Sequence, residues 1–199
     1  MALMHTQVRP GFELGQFKAP DFNLPGVDGK SYSLKNFQDS KALVVIFMCN
    51  HCPYVIAVQD RINDLAKRFK KQGVALIGIN PNDPVKYPAD NFEAMKVRAQ
   101  ERGFEFPYVQ DESQDVARAY DAVCTPDPYV FENLKPGQGT DFVLRYHGRI
   151  DDNWKEPAQV KAQELATALE QILAGRTVNP DQKSAMGCSI KWKESGKCS

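Results

Sequence analysis

Ala42-Leu43-Val44-Val45-Ile46-Phe47-Met48-Cys49-Asn50-His51-Cys52-Pro53-Tyr54-Val55-Ile56-Ala57-Val58 is the stretch whose reading decides the fold. Its first seven residues form an unbroken apolar run, the length and composition of a strand buried on both faces. From Tyr54 the period changes. Apolar residues fall at Val55, Ile56, Val58, Ile62, Leu65 and Phe69, which is helical spacing. Pro53 stands in the first turn, where its missing N–H costs nothing. A cysteine therefore sits where a central strand hands over to a helix, and the positive end of the helix dipole favours thiolate over thiol. The stretch predicts a thiol-redox site.

Composition narrows the class. A chain of 199 residues predicts one domain with a full core. Hydrophobic residues are 42% and charged residues 25%, ordinary for a globular protein. Lys plus Arg and Asp plus Glu are 25 each, so no long-range field argues for nucleic acid or an anionic membrane surface. The opening MALMHTQVRPGFEL lacks the apolar run of a signal peptide, and nothing approaches membrane-spanning length. Five unevenly spread cysteines do not resemble a secreted disulfide framework. The expected setting is the reducing cytoplasm, where a Cys-x-x-Cys spacing points to redox or metal chemistry.

Working outward, Ala19 to Leu34 holds two short strand candidates around an Asp28-Gly29 turn. The helix after Pro53 is expected to reach about Gln72, with Gly73 as its stop. Val74 to Asn80 is a second buried strand, Asp90 a plausible N-cap for a helix through Arg102, and Gly103 its end. Phe106 to Val109, Tyr129 to Phe131 and Asp141 to Tyr146 are strands, Ser113 to Tyr120 a short helix, and Ala158 to Ala174 the last helix. The domain is drawn at residues 1–175, and 176–199 is expected to be a loosely structured tail packing back on it. The long first helix requires its flanking strands to run parallel. The order predicts an α/β fold, a thioredoxin-like sandwich with a mixed central sheet flanked by helices.

Ala19-Pro20-Asp21-Phe22-Asn23-Leu24, Asp28-Gly29, Ser33-Leu34, the strand-Cys-helix at Val44 to Tyr54 and Val123-Cys124-Thr125-Pro126 follow one another in the order of the redoxin superfamily. The chain resembles that superfamily, of alkyl hydroperoxide reductase–thiol-specific antioxidant type. With Gly187-Cys188-Ser189-Ile190-Lys191-Trp192 added, it is similar to the peroxiredoxin-like 1 branch. Aligned on Phe47, the resemblance implies that Cys52 occupies the nucleophilic cysteine position of the thioredoxin motif. The second cysteine of that motif, and the peroxidatic cysteine of peroxiredoxins, both fall on Val55. Cys49 lies one turn upstream of the usual pair, and the Pro-xxx-Thr-xx-Cys pattern is absent. Thr125-Pro126 corresponds to the cis-proline loop, which faces the redox cysteine and offers backbone groups to an extended substrate.

These readings predict a thiol-disulfide oxidoreductase with Cys52 as nucleophile. Cys49 is the first candidate for the resolving thiol, with Cys124 and Cys188 as further candidates. His51 is a possible modulator of the thiol, or a solvent-facing loop residue. Alternatives are a thiol peroxidase reducing hydroperoxides, or a non-catalytic protein binding a partner or a metal through Cys49, His51 and Cys52 with His147. Asp151-Asp152 are expected to be solvated, Trp192 to anchor the tail, and Cys198 to have no role. The expected partners are a protein or small-molecule disulfide or hydroperoxide and an external dithiol reductant, with no cofactor, nucleic acid or membrane; the oligomeric state is left open.

Overall fold

The structure, a computed structural model, describes residues 2–4 and 12–194, and Cys198 lies outside them. A five-stranded mixed sheet runs β6 (Tyr108–Gln110), β5 (Val74–Asn80), β4 (Ala42–Phe47), β8 (Asp127–Asn133), β9 (Phe142–His147) in spatial order. β4 pairs parallel with β5, as the intervening helix requires, and antiparallel with β8. All six residues of β4 are buried, and their side chains alternate between the sheet's two faces. Val44 and Ile46 meet α1 (Pro53–Lys70) and the last helix (Glu164–Leu173) through Val55, Val58, Ile62, Leu165 and Leu169. Leu43, Val45 and Phe47 pack on the other face against Phe22, Leu34, Tyr120, Tyr129 and Phe131. Each such side chain, fully buried, contributes roughly 1.5–3 kcal/mol. This is the thioredoxin-like sandwich that the order of elements implied.

The N-terminal segment does more than supply the hairpin of β2 (Leu24–Pro25) and β3 (Ser31–Tyr32). Lys18 bridges Val143 on β9, with Ala19 N–H donating to Phe142 O at 3.0 Å. Gly26 bridges Val109 on β6, with Val27 N–H donating to Tyr108 O at 3.0 Å.

Three departures from expectation stand out. The last helix begins at Glu164 rather than Ala158, preceded by a single 3-10 turn at Pro157–Gln159. Lys161 N–H donates to Asp152 Oδ1 (2.9 Å) and Ala162 O accepts from Asp152 N–H (3.0 Å), so this stretch is tied to a loop and Val160 leaves the helical face. The helix α2 (Phe92–Arg102) is capped by Asn91, whose side chain accepts Ala94 N–H at 2.8 Å; Asp90 is turned inward. In the tail, where no element was expected, Met186–Ser189 form a strand, β10. It pairs with β7 (Cys124–Thr125) on one side and β1 (Ala2–Met4) on the other, both antiparallel.

Candidate active site

Cys52 is the N-cap of α1, with extended backbone, Pro53 behind it and its carbonyl accepting Ile56 N–H at 2.9 Å. Its sulfur therefore faces the positive end of the helix. Two other thiols converge on it, those of Cys49 and Cys188. Together these donors hold Cys52 down from an ordinary thiol value of 9.0 to about 5. The Cys49 thiol is the largest cause, burial opposes it, and the Cys188 thiol and the N–H groups of Val55 and Cys188 add to it. The donors move the other way. Donation to Cys52, burial and the charge of Asp90 push Cys49 well above the ordinary range, and burial and donation push Cys188 up to about 11. One thiolate stabilised by two thiols is the arrangement of a poised nucleophile.

The Thr125–Pro126 bond is cis and lies against this cluster, as the resemblance implied. Thr125 Oγ1 stands 3.4 Å from Cys49 Sγ, and Thr125 O accepts from Cys52 Sγ at 3.0 Å when Cys52 is protonated. Cys124 is less favourably placed. Its sulfur meets Pro126 O at 3.8 Å, burial pushes its pKa up, and no hydrogen bond joins it to Cys52. Beside Pro126 lies a cavity of about 140 Å³ walled by Val58, Pro128, Trp154 and Met186.

His51 is partly exposed and is not free in solvent. Its Nδ1 lies 2.5 Å from Asp90 Oδ2 and its ring stacks on Tyr87. Asp90, with no exposed surface, also accepts Asn50 N–H at 2.7 Å and Asn82 Nδ2 at 2.8 Å. Arg98 donates to Asn50 O and Tyr108 OH to Asn50 Oδ1. The loop between the two cysteines is thus pinned into the core from several sides. Asp90 is the residue that sequence reasoning missed, because Asp before an apolar period reads as an N-cap and nothing local marks it as buried.

Two further readings are corrected. Asp151 is not solvated: it is buried and ion-paired with Arg61, which also donates to Asn153 O and Trp154 O. This fixes the loop carrying Trp154 over Tyr54. The alternative metal set is not assembled either. His147 Nε2 is bonded to Asp127 Oδ1 at 2.7 Å on β9 and does not join Cys49, His51 and Cys52. Instead donor atoms of Cys49, His51 and Asp90 lie within 4.8 Å of one another. At 2.5 Å, His51 and Asp90 are closer than two ligands of one tetrahedral ion stand, since metal–ligand bonds near 2.0 Å place ligand atoms more than about 3 Å apart. A hydrogen-bonded dyad describes them better.

Comparison with known proteins gives the same direction. The model of a family described as AhpC/TSA family matches residues 16–153. The crystal structure of an uncharacterized conserved protein from Geobacillus kaustophilus superposes with a TM-score of 0.87 at 40% identity, covering 98% of each chain. Thiol-disulfide oxidoreductase ResA of Geobacillus kaustophilus is 27% identical over 114 residues, 57% of this chain and 61% of that protein. Chloroplastic peroxiredoxin Q of Populus jackii is 30% identical over 70 residues, 35% of this chain and 33% of that protein.

Proposed function

The chain belongs to the AhpC/TSA family, and on that premise we propose that it is a thiol-disulfide oxidoreductase with Cys52 as its nucleophile. The observation that carries the reading is the Cys52 sulfur at the N-terminus of α1 and 3.0 Å from the carbonyl of the cis-proline loop at Thr125, with its pKa lowered to about 5. The thiolate attacks one sulfur of a substrate disulfide; the S–S bond breaks, the other sulfur leaves as thiolate, and Cys52 is left in a mixed disulfide. A neighbouring thiol then gives up its proton, attacks Cys52 Sγ and expels the bound half of the substrate, closing an internal disulfide. Both Cys49 and Cys188 touch Cys52 and are the candidates for this second step. An external dithiol takes up the oxidising equivalents and restores both thiols. The setting we propose is the cytoplasm, where such a donor is maintained.

Replacing Cys52 with Ser removes the only sulfur among the described cysteines whose thiolate is stabilised at neutral pH. Disulfide reduction coupled to a dithiol should fall to background in that variant; retained turnover would overturn the assignment.

Family membership favours a second reading, a thiol peroxidase. There the Cys52 thiolate attacks the outer peroxide oxygen, the O–O bond breaks, an alcohol or water leaves, and Cys52 becomes a sulfenate. Single-turnover oxidation by hydroperoxide against oxidation by a low-molecular-weight disulfide separates the two. The faster arm names the substrate.

A further inference from the structure

Strand β10 lies along the backbone edge of β7, the edge beside Cys52 on which an extended chain would be received by strand addition. Cys188 pairs in register with Thr125 and Ser189 with Cys124, and Ile190 N–H donates to Val123 O at 3.0 Å. Gly187 sits so close that a Cβ there would overlap the carbonyl of Thr125, leaving 3.1 Å to Pro126 N. Both the thiol and the N–H of Cys188 are directed at Cys52. The strand is held from its far end. Asn82 Oδ1 accepts Lys191 N–H at 2.9 Å, Gln114 Oε1 accepts Lys193 N–H at 2.8 Å, Ile190 is buried, and Arg118 lies over the Trp192 ring.

We propose that β10 is a built-in substrate strand: Cys188 forms the working disulfide with Cys52, and external dithiols enter by attacking Cys188. This deepens the thiol-disulfide reading of the same site and rests on it. Accessibility separates Cys188 from Cys49. Of the two partners, Cys49 is 2% exposed and Cys188 partly exposed, so a Cys52–Cys188 bridge presents a sulfur at the surface where a Cys49–Cys52 bridge does not. Attack at Cys188 breaks the Cys52–Cys188 bond and expels Cys52, whose low pKa makes it the better leaving group. The incoming sulfur is then joined to Cys188, its second thiol displaces Cys188, and the donor leaves as a disulfide while Cys188 regains a proton. Since β10 already fills the β7 edge, the docked form leaves no room there for an extended protein segment.

The test uses the wild-type chain. Reduced protein is oxidised separately with an equimolar amount of oxidised dithiothreitol and of hydrogen peroxide, blocked with an alkylating agent, digested without reductant and mapped by mass spectrometry. The expected bridge is Cys52–Cys188. Brief treatment of the oxidised protein with glutathione should place the glutathionyl group on Cys188 and return Cys52 as a free thiol. In Cys188→Ser, the oxidised form of Cys52 should persist about tenfold longer or more before resolution. A Cys49–Cys52 bridge, or glutathione on Cys52, overturns the role of β10 and leaves the thiol-disulfide reading standing. A Cys52 that stays reduced in both arms ends both.

Discussion

The Cys49–Cys52 loop and strand β10 each bring one thiol to the Cys52 sulfur, by opposite means. The loop is set into the core. Its backbone and His51 are bonded to Asp90, which has no exposed surface and three protein donors around its carboxylate. The strand lies between β7 and β1, joined to each by a short ladder, with Cys188 partly exposed. A Cys-x-x-Cys spacing secures nearness but not access. On the mechanism proposed above, the inner thiol tunes the nucleophile and the outer one is where exchange with another molecule takes place.

The contrast can be broken from either side. The largest effect is expected at the inner one. Asp90→Ala leaves Asn50 N–H, His51 and Asn82 Nδ2 without their acceptor, and should cost about 3–5 kcal/mol in chemical denaturation. A loss under about 1 kcal/mol would mean that the loop is not held by this carboxylate. On the outer side, Gly187→Ala forces a Cβ into the Thr125 carbonyl and should cost about 1–3 kcal/mol. Hydrogen exchange there should quicken at Ile190, which donates to Val123, while the Asn50 amide stays protected; equal loosening of both would erase the distinction.

The thiolate itself supplies the next test. Its folded pKa of about 5 lies below the unfolded thiol value of 9.0, so the folded state binds fewer protons between those values. Stability relative to Cys52→Ser, both reduced, should therefore rise with pH from about 5 to about 9 and be lost as pH falls through about 5. A flat difference would show that the donors do not hold a thiolate. The smallest effect is expected for Arg118→Ala, which removes the cation over Trp192. It should cost about 0.5–1 kcal/mol and speed exchange along β10 a few-fold.

What the sequence made legible follows from how local each signal is. The run Ala42 to Phe47 and the helical period after Pro53 lie within one stretch of chain, so the central strand, the first helix and the place of Cys52 could be read directly. Thr125-Pro126 was legible only through resemblance, since nothing near it says which part of the fold it faces. Asp90 and Asp151 were misread for one reason. A carboxylate's burial is decided by partners 39 and 90 positions away, His51 and Arg61, and not by its neighbours. Strand β10 escaped because Met-Gly-Cys-Ser has neither alternation nor β-branched residues; it is a strand through the edge it meets, and Gly187 is there because only hydrogen fits against Thr125.

The segment before β4 has a consequence beyond packing. An open sheet presents two margins of unpaired N–H and C=O groups, and such margins recruit further chains into aggregates and fibrils. Here a single stretch of polypeptide reaches both margins, at Lys18 against β9 and at Gly26 against β6. It works as a pair of selvedges woven from the same thread: the cloth is finished on both sides before any other chain can be knitted on.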